Sequence, residues 1–185
     1  MASTFTTNYG IEKITTGEQS GTWGTTTNYN VSILDRIASY AAVALSDAST
    51  ATLTVRAASP TDGADNVQNG MYRVIKFTGT LSQHCTVTVA PATTTAYFMI
   101  QNATSGGYNV IMAQGSAAQT VTVASAKAQI LYCDGSDEVI SVSDLLDLET
   151  FDNISISGNT ISSTNTNGNI GLSPNGTGEV VVGSG

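Results

Sequence analysis

The residues in this sequence whose types are best suited to catalysis are one histidine and the cysteine beside it. His84 is the only histidine, and it stands directly before Cys85. Successive residues of a β-strand point to opposite faces, so these two side chains cannot easily form the hydrogen-bonded pair that nucleophilic catalysis needs. The sequence predicts a partly exposed strand histidine and a buried thiol. Cys133 lies in a similar apolar run, and we expect both cysteines to be reduced and to behave as small hydrophobic residues.

Two turn-rich segments gather acidic and amide groups that could bind calcium: Asp62, Asp65 and Asn66, and Asp134, Asp137 and Glu138. Neither segment has the loop spacing and terminal glutamate of a dedicated calcium loop, so ordinary turns are favoured. The sequence contains no Walker loop, nucleophile elbow or C-x-x-C motif. A carboxylate pair for glycoside cleavage stays open, because nothing singles out one pair. We expect no enzyme, no metal site and no cofactor.

The composition argues against two classes of binding partner, nucleic acids and membranes. Charged residues make up 11% of the chain and the net charge is −8, against about 25% charged residues in an average globular protein. The absence of a basic patch argues against nucleic-acid binding. No apolar run is long enough for a transmembrane helix, and no secretory signal is visible at the amino terminus, so we expect no membrane insertion.

The elements that must position these groups begin with one helix, predicted at residues 30–40. Asn28 or Asn30 can cap it, and Ser32 with Asp35 has the spacing of a capping box. Its apolar residues fall on one helical face: Val31, Leu34, Ile37, Ala38 and Ala41. That face belongs either to the core of the domain or to a contact between copies around a three-fold axis.

Residues 41–140 have the pattern of a β domain. Short runs with a period of two, separated by Gly, Asn and Asp turns, predict an antiparallel β-sandwich of jelly-roll type within a mainly β protein. The expected strands lie near residues 42–45, 51–57, 71–77, 84–90, 96–102, 107–114, 119–124 and 128–133. The run 96–102 is nearly all apolar and is predicted to be a central strand.

The last part of the chain changes character. Residues 141–152 are predicted to be a linker, and residues 153–185 hold few apolar side chains, too few for a monomeric core. Three intertwined chains could pool them and pair one another's strand edges, as the beginning of a trimeric fibre shaft. The residues expected at that contact are Ile154, Ile156, Ile161, Ile170, Leu172, Val180 and Val182. The alternative is a flexible Gly/Ser/Asn-rich tail.

The only tryptophan, Trp23, lies between Gly21 and Gly24 in the stretch 16–34. A large ring flanked by glycines is typical of an anchor at a contact, because the backbone can adopt positive φ and another surface can approach closely. A place in the local core is the alternative. Residues 1–15 alternate weakly and predict either an extended arm or an edge strand.

Two segments carry a family resemblance. Residues 1–30 resemble the amino terminus of tail-fibre and tail-associated proteins of marine bacteriophages, especially cyanophages, and residues 156–182 resemble phage fibre shafts. The matching positions of the first segment are Thr16, Gly17, Glu18, Gly21, Thr22, Trp23, Gly24, Thr27, Asn28 and Asn30.

The resemblance implies a virion structural protein of the tail, assembled in the bacterial host cytoplasm as a homotrimer. Residues 1–29 would dock on the tail adaptor and nozzle proteins, and a distal part would bind the host surface receptor for attachment. The expected tail-docking residues are Phe5, Tyr9, Ile11, Gly21, Trp23, Gly24 and Tyr29. We also expect the chain to be the ordered base of a longer fibre, which an intact mass of 19 kDa for the fibre chain would refute.

Two other functions stay open. A carbohydrate-binding module would stack sugars on exposed aromatic side chains such as Tyr72, Tyr97 or Tyr108. A capsid decoration or head-fibre protein would share the β-rich, trimeric character and would differ in its place on the particle.

Overall fold

The chain forms two compact units, Met1–Leu145 and Leu146–Gly185. A computed structural model describes residues 3–60, 67–116, 119–142, 154–157, 159–174 and 176–183. Within these ranges, no helix has both the length and the apolar character needed to span a bilayer. The acidic turn at Asp62, Asp65 and Asn66 and residues 143–152 of the predicted linker lie outside the described residues.

Within its described residues, the first unit contains the helix α1 (Trp23–Ile37), a short 3-10 turn (Asn69–Met71) and eleven strands. The first two strands form a small hairpin, β1 (Thr4–Phe5) and β2 (Glu12–Lys13). The others are β3 (Tyr40–Ala44), β4 (Thr50–Thr54), β5 (Val74–Thr78), β6 (Cys85–Ala90), β7 (Ala96–Asn102), β8 (Val110–Gln114), β9 (Val121–Val123), β10 (Ala128–Cys133) and β11 (Val139–Ser141). The prediction of a mainly β protein with one helix is confirmed.

Strands β3 to β11 form two packed sheets, but the predicted purely antiparallel jelly roll is wrong. The strand orders are β11-β10-β7-β5-β3 and β4-β6-β8-β9. From β3 to β8 the chain crosses to the other sheet after every strand, so neighbours within a sheet are two strands apart in sequence and run parallel. Only β9, β10 and β11 pair antiparallel. The chain therefore winds through both sheets three times before it closes with hairpins.

The core lies between the two sheets and is built from stacked rows. Ile75 pairs with Ile100 one coil later, and Val87 pairs with Met112 in the opposite sheet. All four side chains are at most 1% exposed. Burying each such side chain contributes about 1.5–3 kcal/mol relative to leaving it in water. The strict burial alternation of β7, at the centre of its sheet, shows how the period of two selects the inner face.

Buried amides fix the bends where the chain leaves the sheets. The Asn102 amide nitrogen donates to the carbonyls of Tyr108 and Val123, both at 3.0 Å, and its oxygen accepts from Thr104 Oγ1 at 2.7 Å and Thr104 N at 3.2 Å. Gln114 bridges two other bends by donating to the Thr94 carbonyl at 2.7 Å and accepting from the Gly135 amide at 3.1 Å. A buried amide is tolerated only when its hydrogen bonds are made, and these are.

Consecutive coils approach closely at Gly106. Gly106 has φ +105°, and a Cβ there would lie 2.0 Å from the Leu81 carbonyl oxygen. The backbone pairs alongside this point, with Leu81 N donating to the Ser105 carbonyl at 3.0 Å. Glycine is therefore required by both conformation and space.

The helix begins seven residues before the predicted 30–40, so its predicted start is wrong, and it ends at Ile37. Asn28 and Asn30 are interior residues rather than caps, and Ser32 makes no capping box, since its hydroxyl donates to the Asn28 carbonyl at 2.9 Å. The run of Thr and Asn has weak helix propensity, but tertiary packing supplies most helical stability in proteins. Thr26 and Ile33 are the buried residues that provide it.

The second unit contains one antiparallel hairpin, β12 (Ile154–Ser157) with β13 (Thr160–Ser163). Asn167 has φ +60° in a turn that closes with Gly168 N donating to the Asn165 carbonyl at 3.1 Å. Within the ranges described, the segments 169–173 and 179–183 form no strand.

We predict that Asn102→Ala lowers the free energy of unfolding by about 2–4 kcal/mol, because buried carbonyl and hydroxyl partners lose their hydrogen bonds. The matched substitution Asn28→Ala, at an exposed helical position, should change it by less than about 0.5 kcal/mol. Urea denaturation followed by circular dichroism measures both. Equal effects of the two substitutions would show that the Asn102 network does not stabilise the bends.

Candidate docking site

Helix α1 presents an exposed apolar surface. Trp23 is its first residue and is 62% exposed, while Val31 is 57% and Leu34 is 55% exposed. Spacings of eight and eleven residues bring these three side chains to one side of a helix with 3.6 residues per turn. We refer to Trp23, Val31 and Leu34 as the helix stripe. Large exposed apolar groups that lie together mark contact surfaces more often than isolated ones do.

The side of the helix that borders the stripe is held by the amino-terminal hairpin, because Asn30 lies one turn before Leu34. Asn30 binds the backbone of Glu12 at both polar groups: its Oδ1 accepts from Glu12 N at 3.0 Å and its Nδ2 donates to Glu12 O at 2.9 Å. Glu12 itself is buried, with its carboxylate accepting a hydrogen bond from the Gln19 amide. The Gln19 oxygen in turn accepts from the Thr26 hydroxyl. These polar contacts fix the helix orientation and hence the direction in which the stripe faces.

The turn that precedes Trp23 has a definite backbone conformation, which hydrogen bonds hold in place. Gln19 has φ +57° and Gly21 has φ +87°, and the amides of Thr22 and Trp23 both donate to the Gln19 carbonyl at 2.9 Å. Gly21 has open space around its Cβ position, so conformation rather than crowding requires glycine there. Gly24, in contrast, lies in the helix. The indole is therefore presented by a structured turn.

The seven expected docking residues do not form one surface. Gly21 and Trp23 are exposed, whereas the side chains or backbones of Phe5, Ile11 and Gly24 are half-buried. The remaining two expected residues, Tyr9 and Tyr29, are also half-buried but lie elsewhere. Tyr9 packs against the core cluster between the sheets. Tyr29 lines a cleft of about 700 Å³ together with Arg36 and Tyr72. The amino terminus is thus a folded hairpin packed on the unit.

The combination of Trp23 with Val31 and Leu34 was not predicted. The predicted apolar face joined Val31 and Leu34 with Ile37, which is half-buried. The signal was available in the spacing from Trp23 to Leu34, eleven residues or three helical turns, but it becomes visible only once the helix is taken to begin at Trp23.

Of the three tyrosines considered for sugar stacking, Tyr97 is the exposed one, at 42%. Tyr72 and Tyr108 are half-buried and pack against the core cluster. The Arg36 guanidinium lies 5.0 Å from the Tyr72 ring centroid, and Arg73 lies 5.4 Å from that of Tyr97. Cations therefore already sit over the rings of Tyr72 and Tyr97.

The groups considered for catalysis or metal binding make local hydrogen bonds or lie in the core. His84 is exposed, and its Nδ1 accepts from the Asn109 amide at 3.0 Å, while Cys85 is buried on the other face of the strand. Asp134 closes a turn by accepting from the amides of Ser136 and Glu138, at 2.7 and 3.3 Å. Among the residues that the structure describes, no group of three His, Cys, Asp or Glu side chains could hold a metal ion.

The residues expected at the shaft contact are mostly exposed in the second unit. The exposed fractions are 57% for Ile161, 39% for Ile170, 67% for Leu172, 48% for Val180 and 87% for Val182. Ile154 is half-buried, and the side chain of Ile156 lies outside the described part. The hairpin pairs Ile156 with Ile161 through their backbones.

Comparison with protein families, with curated proteins and with solved structures finds no match to this chain.

Both cysteines are free and buried, as predicted. Burial raises the pKa of Cys85, and burial with the nearby Asp134 charge raises the pKa of Cys133 from 9.0 to about 12. The two thiols lie in different sheets, Cys85 in β6 and Cys133 in β10. They serve as core side chains, and their thiolates are disfavoured.

We predict that the free energy of unfolding falls as the pH rises from 9 towards 12, because the unfolded chain releases the Cys133 proton first and so binds fewer protons than the folded chain. Cys133 adds at most about 1.4 kcal/mol per pH unit to this fall. Urea denaturation at several pH values should give a shallower fall for Cys133→Ala than for the wild type. Identical pH slopes would contradict the assignment.

Proposed function

We propose that this protein is a virion structural protein, a bacteriophage tail fibre whose amino-terminal region anchors the fibre to the tail and whose chains associate as a homotrimer. It carries no catalytic role. In this proposal the tail adaptor and nozzle proteins receive the helix stripe, and the far end of the fibre carries the part that binds the host receptor.

The observation that supports anchoring is the exposure of Trp23 on a rigid support. A 62% exposed indole at the start of a helix would be costly to leave in water, and tryptophan is the residue type most enriched at the centres of contacts. The Asn30 contacts with the hairpin hold the helix in place, so little side-chain or backbone order has to be gained on docking. The resemblance of residues 1–30 to phage fibre amino termini points to the same role.

The second unit supports a shaft for a different reason. Most of the apolar side chains described in this unit are spread along the chain and exposed, so one copy leaves them in water. Three copies wound together would bury them against one another and pair backbone groups that a single chain leaves to solvent. The short hairpin β12–β13 shows that the segment adopts strand geometry where it has a partner.

We predict that Trp23→Ala abolishes incorporation of the fibre into tails while leaving the first unit folded, because the substitution removes the largest exposed apolar group of the stripe. Thr25→Ala, at an exposed position in the same helical turn, is the matched control and should assemble normally. Particles assembled with each variant can be analysed for fibre content by gel electrophoresis, and the isolated proteins by circular dichroism.

Normal fibre content in particles carrying Trp23→Ala would overturn the anchoring role. Loss of the folded signal in the isolated variant would instead assign Trp23 to structural stability, and Leu34→Ala would then serve as the second variant, since Leu34 lies three turns away on the same stripe.

A further inference from the structure

A cleft of the first unit lies where strands β7 and β10 meet the amino-terminal hairpin. Its volume is about 280 Å³. This is just below the roughly 300–1,000 Å³ of pockets that enclose a drug-sized molecule, so the cleft suits one ring-sized group rather than a protein surface. We call it the tyrosine cleft, after three of the six polar and aromatic residues that line it: Asn8, Tyr9, Arg73, Thr95, Tyr97 and Tyr132.

Two of the tyrosines have positions that the sheet fixes. Tyr97 of β7 and Tyr132 of β10 are paired directly across the two antiparallel strands. Both alternate with buried residues and therefore lie on the outer face of the sheet, where Tyr97 is exposed and Tyr132 is half-buried. A small ligand would meet rings whose backbones are already held by the strand ladder, so little order would have to be gained on binding.

The amino-terminal hairpin contributes Asn8 and Tyr9 from the turn between β1 and β2. This turn is closed by backbone hydrogen bonds, with Thr6 N donating to the Ile11 carbonyl at 2.9 Å and Gly10 N donating to the Thr6 carbonyl at 3.1 Å. Tyr9 packs against the core cluster, whereas Asn8 is exposed. The amide of Asn8 can therefore both donate to and accept from a ligand in the cleft.

Arg73 is the one charged residue among the described residues that line the cleft. Its Nη1 donates to the Tyr97 carbonyl at 3.3 Å, and its guanidinium lies 5.4 Å from the centroid of the Tyr97 ring. A cation covers only one face of a ring, and Tyr97 remains exposed. A guanidinium has five N–H donors, so Arg73 can keep this hydrogen bond and also donate to a ligand.

These groups match the surface of a sugar ring. A pyranose has C–H groups on its faces and hydroxyl groups around its edge, and a tyrosine has an apolar ring with a polar tip. Sugar hydroxyls both donate and accept hydrogen bonds, as do the amide of Asn8 and the hydroxyls of Thr95 and the tyrosines. Aromatic walls with a few placed polar groups are the usual composition of a small-ligand site.

The charges favour a neutral sugar over an acidic one. The chain has a net charge of −8, and a strongly negative protein repels polyanions such as acidic polysaccharides. A carboxylate also accepts hydrogen bonds without donating any, so it would leave the acceptors of the cleft without a partner.

We propose that the tyrosine cleft binds one pyranose ring of a neutral oligosaccharide. Tyr97 and Tyr132 contact the C–H groups of the ring, and Asn8, Thr95 and Arg73 bind its hydroxyls. The inference goes beyond the proposed fibre and does not depend on it, because every residue of the cleft belongs to the first unit.

The test uses the full 185-residue chain on an array of neutral gluco-, galacto- and manno-oligosaccharides, with oligogalacturonates and oligomannuronates as the acidic counterparts. Isothermal titration calorimetry then measures the affinity for the neutral ligand that the array gives. Tyr97→Ala should weaken binding at least about tenfold, because it removes the exposed ring. Tyr40→Ala is the matched control. It removes an exposed tyrosine of the edge strand β3 in the same sheet, and it should bind like the wild type.

Asn8→Ala, at an exposed position of the hairpin turn, is the second variant. It should weaken binding roughly three- to tenfold, the effect of one lost hydrogen bond. Far-UV circular dichroism checks that each variant is folded.

A wild-type chain that binds no neutral oligosaccharide of the array overturns the inference, and so does a folded Tyr97→Ala or Asn8→Ala variant that binds as tightly as the wild type. Tighter binding of a uronate than of its neutral counterpart overturns the assignment to neutral sugars. Trp23→Ala should bind the sugar like the wild type, so loss of the tail anchor and loss of the sugar site are separate results.

Discussion

The in-register parallel pairing of β3, β5 and β7 is the constraint on which the rest of the first unit depends. Because each strand stacks on the one a full coil earlier, every side chain has a neighbour of the same orientation above or below it. The inner rows accumulate into the core, and the outer rows include Tyr97, which lines the tyrosine cleft. A register shift of one residue would exchange the two faces, so the core and the position of Tyr97 are fixed together.

Most strands of the first unit were predictable, whereas their pairing was not. Alternation of apolar and polar residues placed β4 and β6 close to where they are, because a period of two depends only on one face being buried, and the apolar run 96–102 placed β7. The strand β11 was not predicted. A period of two fits parallel and antiparallel neighbours equally. The short, turn-rich connections suggested hairpins, but most of them are crossings between two sheets. That is why the expectation of a jelly roll was wrong although most strand positions were right.

The docking residues were likewise predictable only in part. Its flanking glycines and its being the single tryptophan indicated Trp23 as a contact residue from the sequence alone. Which side chains lie beside it depends on where the helix begins. The Thr and Asn run hid the first two turns of α1, since such residues favour caps and turns in isolation. Their helical state depends on contacts far away in sequence, above all the Asn30 contacts with Glu12, which no local pattern reveals. Tyr9 was missed as a packing residue for the same reason.

In the proposed fibre, the two units would divide the work between them. The first unit has its own core between two sheets and presents exposed apolar side chains on helix α1, where little entropy would be lost on contact. The apolar side chains described in the second unit are mostly exposed, and contact with other chains would bury them. Because charged residues make up only 11% of the chain, such contacts would carry a small desolvation cost.

The most direct test is the molar mass of the full 185-residue chain in solution, measured by light scattering over a range of concentrations. The account predicts three times the 19.0 kDa of one chain, maintained on dilution to the lowest concentration that can be measured. A mass of 19.0 kDa at every concentration would contradict it, because the shaft would then not hold chains together.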